Sequence, residues 1–112
     1  MHGLEGEQIL MRIYIGERDK HEGRPLYEAI VMLLRARHFA GATVTRAIMG
    51  FGANARIRTQ KVLDLSVDMP IIVECVDEEP KIREILPELD QMIGGGLITL
   101  ERAHVITYRG ET

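Results

Sequence analysis

From Glu7 to Gly16 the apolar side chains fall at every second position: Ile9, Met11, Ile13 and Ile15 share one face, and Leu10, Arg12 and Tyr14 the other. Period two predicts a strand, because successive side chains of an extended chain point to opposite sides. After Pro25 the interval changes. Leu26, Ala29, Ile30, Leu33 and Leu34 recur at helical spacing, and Pro25 sits where a first helical position tolerates a missing N–H. Arg35, Arg37 and His38 gather at the far end, where the helix dipole favours cations. "GATVTRAIMG", Gly41–Gly50, is rich in β-branched residues and predicts a second strand; "PIIVECVD", Pro70–Asp77, predicts a third. "EEPKIREILPELDQMI" predicts a second helix that Pro87 should shorten or kink, Gly94 to Gly96 end it, and "LITLERAHVITY", Leu97–Tyr108, predicts a fourth strand.

The order is β-α-β-β-α-β. It predicts an α+β, ferredoxin-like sandwich: a four-stranded antiparallel sheet, strands one and three central, with two helices on one face. Residues 1–6 read as a flexible polar head and residues 7–112 as a single domain. Chain direction then brings the connections at 16–24, 51–69 and 94–96 to one end of the sheet.

Composition removes several function classes. With 46% hydrophobic and 28% charged residues, this 112-residue chain reads as an ordinary globular domain. A net charge of -3 offers no global attraction to nucleic acid, and 4% aromatics leave no stacking pair for RNA. No apolar run approaches the roughly 20 residues that cross a bilayer. The head has acids where a signal peptide needs bases, so a cytoplasmic protein without membrane insertion is expected. Cys75, the only cysteine, lies in an apolar strand and reads as a buried thiol.

The candidate chemistry lies in "MGFGANARIRTQ", Met49–Gln60. Gly50, Gly52 and Ala55 spell G-x-G-x-x-A, but a dinucleotide turn needs a helix directly after it, and residues 53–68 show no clean apolar stripe. As a β-β connection the segment exceeds what a hairpin requires, and such length usually serves function. Gly50 and Gly52 let backbone amides approach a ligand. Arg46, Arg56, Arg58 and Lys61 supply charge that grips phosphate, while Phe51 either covers a base or plugs the core. In the first loop, Glu17, Asp19, Lys20 and His21 contact a ligand beside the first helix, or else Asp19 and Glu22 serve as turn and pre-helix acids and His21 faces solvent. Three glycines at Gly94, Gly95 and Gly96 exceed a helix stop and suit amides wrapping a phosphate, or else form a floppy linker. Leu10, Tyr14, Ile72 and Val76, with Arg12 and Glu74, give the face opposite the helices a mixed apolar and paired-charge character that points to homo-oligomerisation.

"IYIGERDKHEGRPLYEAIV", "GATVTRAIMGFG", "LSVDMPIIVECVD" and "GLITLERAHVITY" together resemble an uncharacterised prokaryotic family of PII-like signalling proteins, from about Ile9 to Tyr108. The resemblance implies a homotrimer with adenine nucleotide (AMP, ADP or ATP) in clefts between subunits. The base of the long loop would map to Gly50, Phe51 and Gly52, and the loop before the last strand to Gly94, Gly95 and Gly96. Relatives usually carry a glycine before the second strand, where this chain reads "RHFAG"; His38 there would accept an unusual helix-end backbone. "RIRTQ" does not match the modification segment of true PII proteins, and a lysine near the second loop is missing. The implied function is a non-enzymatic regulator whose 51–69 loop docks onto a protein target such as a transporter, channel or enzyme. The alternatives are an acylphosphatase-like hydrolase using Arg18 or Arg24 with Asn54, and a metal-binding or structural trimer related to CutA, for which His2, His38 and His104 are too scattered along the sequence to assemble a metal site.

Overall fold

The computed structural model describes residues 3–53, 57–59 and 68–110. Its strands are β1 (Gly6–Gly16), β2 (Lys20–His21), β3 (Arg24–Pro25), β4 (Thr43–Arg46), β5 (Met49–Gly50), β6 (Arg58–Thr59), β7 (Pro70–Asp77) and β8 (Leu97–Val105); its helices are α1 (Leu26–Ala36) and α2 (Glu79–Met92). The main sheet has the order β4-β7-β1-β8 and is antiparallel throughout, so β1 and β7 are central as the topology predicts.

The period-two pattern of β1 sets the core. Ile9, Met11, Ile13 and Ile15 are buried together with Ile71, Val73 and Cys75 of β7, under Leu26, Ile30 and Leu34 of α1 and Ile82, Ile85 and Leu89 of α2. Each of these large side chains contributes roughly 1.5–3 kcal/mol through removal from water. Both helices lie on this face, because only here does an apolar helical stripe meet an apolar strand face.

Several elements differ from the sequence expectation. The second strand does not run from Gly41 to Gly50: β4 ends at Arg46, Ala47 donates its N–H to the Pro70 carbonyl at 2.8 Å, and β5 then pairs with β6 instead of with the sheet. The long connection therefore begins as a hairpin. The 16–24 segment also contains a hairpin, β2 with β3, turned by Glu22 and Gly23 at φ 49° and 83°. Pro25 is the residue before α1 rather than its first turn. Pro87 neither shortens nor breaks α2, because it and Arg83, whose carbonyl loses its helical donor, both face solvent. The last strand stops at Val105, and the following residues carry Tyr108 across to the Ala40 carbonyl, which its hydroxyl reaches as a hydrogen-bond donor. His38 takes the left-handed backbone, φ 61°, expected of it at the end of α1.

Candidate functional site

Register determines what meets at the rim. Gly16 pairs with Pro70, Arg46 with Ile71, and Tyr14 with Leu97, so the residues following β1, preceding β7, ending β4 and preceding β8 share one edge. All three connections expected at one end therefore contribute described residues to it.

A polar network holds these ends. The Glu17 N–H donates to the Met69 carbonyl at 2.8 Å, and the Glu17 carboxylate in turn accepts the Met69 N–H at 3.2 Å. Arg46 Nε donates to both Glu17 oxygens at 3.0 Å. Asp68 accepts the Arg18 N–H at 2.9 Å through Oδ1 and pairs through Oδ2 with Arg58 Nη1. Asp19 caps its own turn by accepting the Gly16 N–H at 2.9 Å, the turn role anticipated for it. A side chain at position 16 would stand 3.0 Å from the Arg58 guanidinium and 3.3 Å from both Asp19 and Asp68, so this glycine keeps the network compact.

The remaining sequence candidates are placed as follows. Gly50 lies in β5 against the Pro70 ring, where a Cβ would come within 3.2 Å. Gly52 faces open space, and Phe51 is 70% exposed, which rules out its plugging the core. Gly96 packs on the end of β1, with a built Cβ 2.6 Å from the Tyr14 carbonyl, whereas Gly94 and Gly95 face open space without a positive φ. The fold thus requires glycine at position 96 but not at 94, 95 or 52. Lys20 is exposed in β2. Arg56 and Lys61, and Asn54 of the hydrolase alternative, lie outside the described residues. Asp68 is the rim residue that sequence reasoning missed. Its only signal was an acid directly before the third strand, and its partners are 50 and 10 residues away.

Two features lie elsewhere. On the sheet face away from the helices, Arg12 donates to Glu74 at 3.3 Å and pairs with Glu101, amid half-buried Leu10, Tyr14, Ile72 and Val76, as the mixed pattern predicts. At the lower end of this face a cavity of about 310 Å³ is lined by Leu4, Leu10, Val76, Val105 and Tyr108 among others. Cys75 also borders it, and burial with the nearby Asp77 charge pushes this thiol up to about 12. Among the described residues no group of three His, Cys, Asp or Glu side chains could hold a metal ion, and no helix is long and apolar enough to cross a membrane.

Comparison with known proteins places this geometry in context. The family model DUF190, described as "Uncharacterized ACR, COG1993", matches residues 8–105. The chain is similar to the UPF0166 protein MJ1524 of Methanocaldococcus jannaschii, with 39% identity over 104 residues, 92% of this chain and 94% of that protein. A UPF0166 protein of Aquifex aeolicus shares 41% identity over 97 residues, 87% and 91% of the two chains. Among solved structures, the fold is similar to CPII of Thiomonas intermedia K12, a nitrogen regulatory PII-like protein. The TM-score is 0.60 for its complex with ADP, AMP and bicarbonate and 0.58 for its complex with ADP and bicarbonate, each at 16% identity and 88% coverage of both chains.

Proposed function

The chain belongs to the DUF190 family, and from that premise and the geometry of the rim we propose that it is a PII-like regulatory protein binding an adenine nucleotide in clefts between the subunits of a homotrimer. The observation that carries this reading is the convergence, at the end of β1, of Arg46, Arg58 and the glycine-bearing segments 50–52 and 94–96. Guanidinium groups and unobstructed amides are what a phosphate needs. That Gly52, Gly94 and Gly95 are glycines in open space, where the fold alone would accept a side chain, supports a role in close approach to a ligand.

The base rests against Phe51, and the phosphates meet the arginines and the amides of Gly94 and Gly95. Half-buried Leu10, Tyr14, Ile72 and Val76 around the Arg12 charges support burial of the sheet face against neighbouring subunits. That CPII holds ADP and AMP on the same fold supports the ligand class. Occupancy changes the presentation of the 51–69 connection, beginning with the β5–β6 hairpin and its exposed Ile48, Met49, Phe51 and Ile57, and so changes docking onto a protein target, a transporter, channel or enzyme. The reading carries no catalytic step.

Calorimetry with AMP, ADP and ATP on the intact protein, with mass determination by light scattering, tests it. Saturable binding at one site per subunit of a trimer is expected. No heat from any of the nucleotides at millimolar concentration, or a monomer, would remove the reading.

A further inference from the structure

Two arginines at the rim, Arg46 and Arg58, are held by carboxylates. Arg46 of β4 is held by Glu17, and Arg58 of β6 by Asp68, with these four side chains between a quarter and two-fifths exposed. A phosphate that uses the fork of Arg46 or Arg58 must therefore take it from a carboxylate. We propose that Glu17 and Asp68 form a carboxylate clasp that an incoming polyphosphate displaces, so that the site selects ligands with two or more phosphate groups over a monophosphate, and that release of Arg58 is what frees the hairpin. This inference rests on the nucleotide-binding reading above.

The exchange is cheap for the acids. When Arg46 leaves, Glu17 keeps the Met69 N–H; when Arg58 leaves, Asp68 keeps the Arg18 N–H. Neither carboxylate is left without a donor, which is the condition under which a charged pair opens without a large penalty. Both acids nevertheless remain beside the arriving anion and repel it. One phosphate group exchanges one ion pair for another against this repulsion, whereas a diphosphate or triphosphate brings a second phosphate for the second guanidinium.

The two pairs also differ in what they join. Glu17 and Arg46 connect strand ends within the main sheet, so their separation leaves the sheet ladder intact. Arg58 belongs to the separate two-stranded sheet, and its contact with Asp68 ties that hairpin to the start of β7. Phosphate capture of Arg58 therefore trades a tie to β7 for a tie to the ligand, and the hairpin with its exposed Ile48, Met49 and Ile57 moves with it.

The test measures AMP, ADP and ATP affinity for the intact protein and, separately, for E17Q and D68N, together with amide hydrogen exchange at Met49, Gly50, Arg58 and Thr59 without ligand. Wild type should prefer ADP to AMP by about tenfold or more, and each variant should bind all of them more tightly while narrowing that preference to about threefold. D68N should speed exchange in the hairpin before any nucleotide is added, and E17Q should not. Inorganic pyrophosphate, but not orthophosphate at equal concentration, should alter hairpin exchange in wild type, a readout that needs no variant. Nucleotide binding with unchanged affinities and an unchanged ADP to AMP ratio in both variants would overturn the clasp and leave the nucleotide reading standing. Absence of nucleotide binding by wild type would overturn both.

Discussion

Asp77 accepts the Ala40 backbone N–H through Oδ2 at 2.8 Å, joining the end of β7 to the chain between α1 and β4. Its other oxygen accepts the Glu78 N–H at 2.8 Å, and Lys81 stands 3.6 Å away, one helical turn along α2. Asp77 is the one buried charged side chain among the described residues, at 1% exposure. Its cost of burial is met by these donors, and Lys81 completes the join by donating to the His38 carbonyl while lying 5.2 Å from the Phe39 ring centroid. Replacement by alanine leaves the donors without their acceptor. Asp77→Ala should lower stability by about 3 kcal/mol, and Asp77→Asn by less, in urea unfolding followed by circular dichroism. A loss below half a kilocalorie for the alanine variant would show that the contacts do not hold α1 to α2.

The three successive glycines should separate. Gly96→Ala drives a methyl group into the Tyr14 carbonyl and should cost about 1–3 kcal/mol. Gly94→Ala and Gly95→Ala meet open space and should stay within about 0.5 kcal/mol of wild type. On the nucleotide reading those two variants nevertheless weaken ADP binding about tenfold, by keeping phosphate away from the amides. Thermal melts and calorimetry on the same preparations distinguish the two effects.

Cys75 should make stability fall in alkali. Its thiol titrates at about 12 in the folded chain, against an ordinary value of 9.0, because burial and the Asp77 charge disfavour the thiolate. The folded state holds this proton where the unfolded chain has released it. The contribution is thus fully present below pH 9.0 and is lost as the pH rises towards about 12. The slope from this group is at most about 1.4 kcal/mol per pH unit. Cys75→Ala should lack that component when unfolding is compared across this range. A thiol reagent at pH 8 should leave the native protein unlabelled and label it in denaturant.

Arg12 offers a test of assembly that does not involve the ligand. It lies between Glu74 and Glu101 on the sheet face away from the helices. Arg12→Glu puts three carboxylates together on that face. On the homotrimer reading, light scattering should then report a shift from trimer towards monomer, while far-ultraviolet circular dichroism keeps its wild-type shape. An unchanged mass would place the subunit contacts elsewhere.

Much of the fold was legible because its signal is periodic. Four core positions at every second residue of β1, and the helical spacing from Leu26 to Leu34, each report burial on one face and therefore direction. What escaped lacked a period. The two-residue strands β2, β3, β5 and β6 are too short to alternate, so they read as loop. Nothing local separates Arg46 from Met49, yet the first belongs to the main sheet and the second does not. Pro87 was misleading for the opposite reason. Its local penalty is real, but a solvent-facing position in a well-packed helix absorbs it.

The site divides in the same way. The residue types that suit phosphate, Arg46, Arg58 and the glycines at 50, 52 and 94–96, were readable one by one, and strand order alone brought their loops to one rim. Which of those glycines the backbone itself demands, and which carboxylate holds which arginine, came only from register: Gly16 against Pro70 brings Glu17 to Met69 and Asp68 to Arg18. Alternation along the chain is a local consequence of burying one face, so the sequence by itself determined the layers and their order. Pairing between segments some 50 residues apart depends on how strands slide against one another, and only the packed sheet decided it.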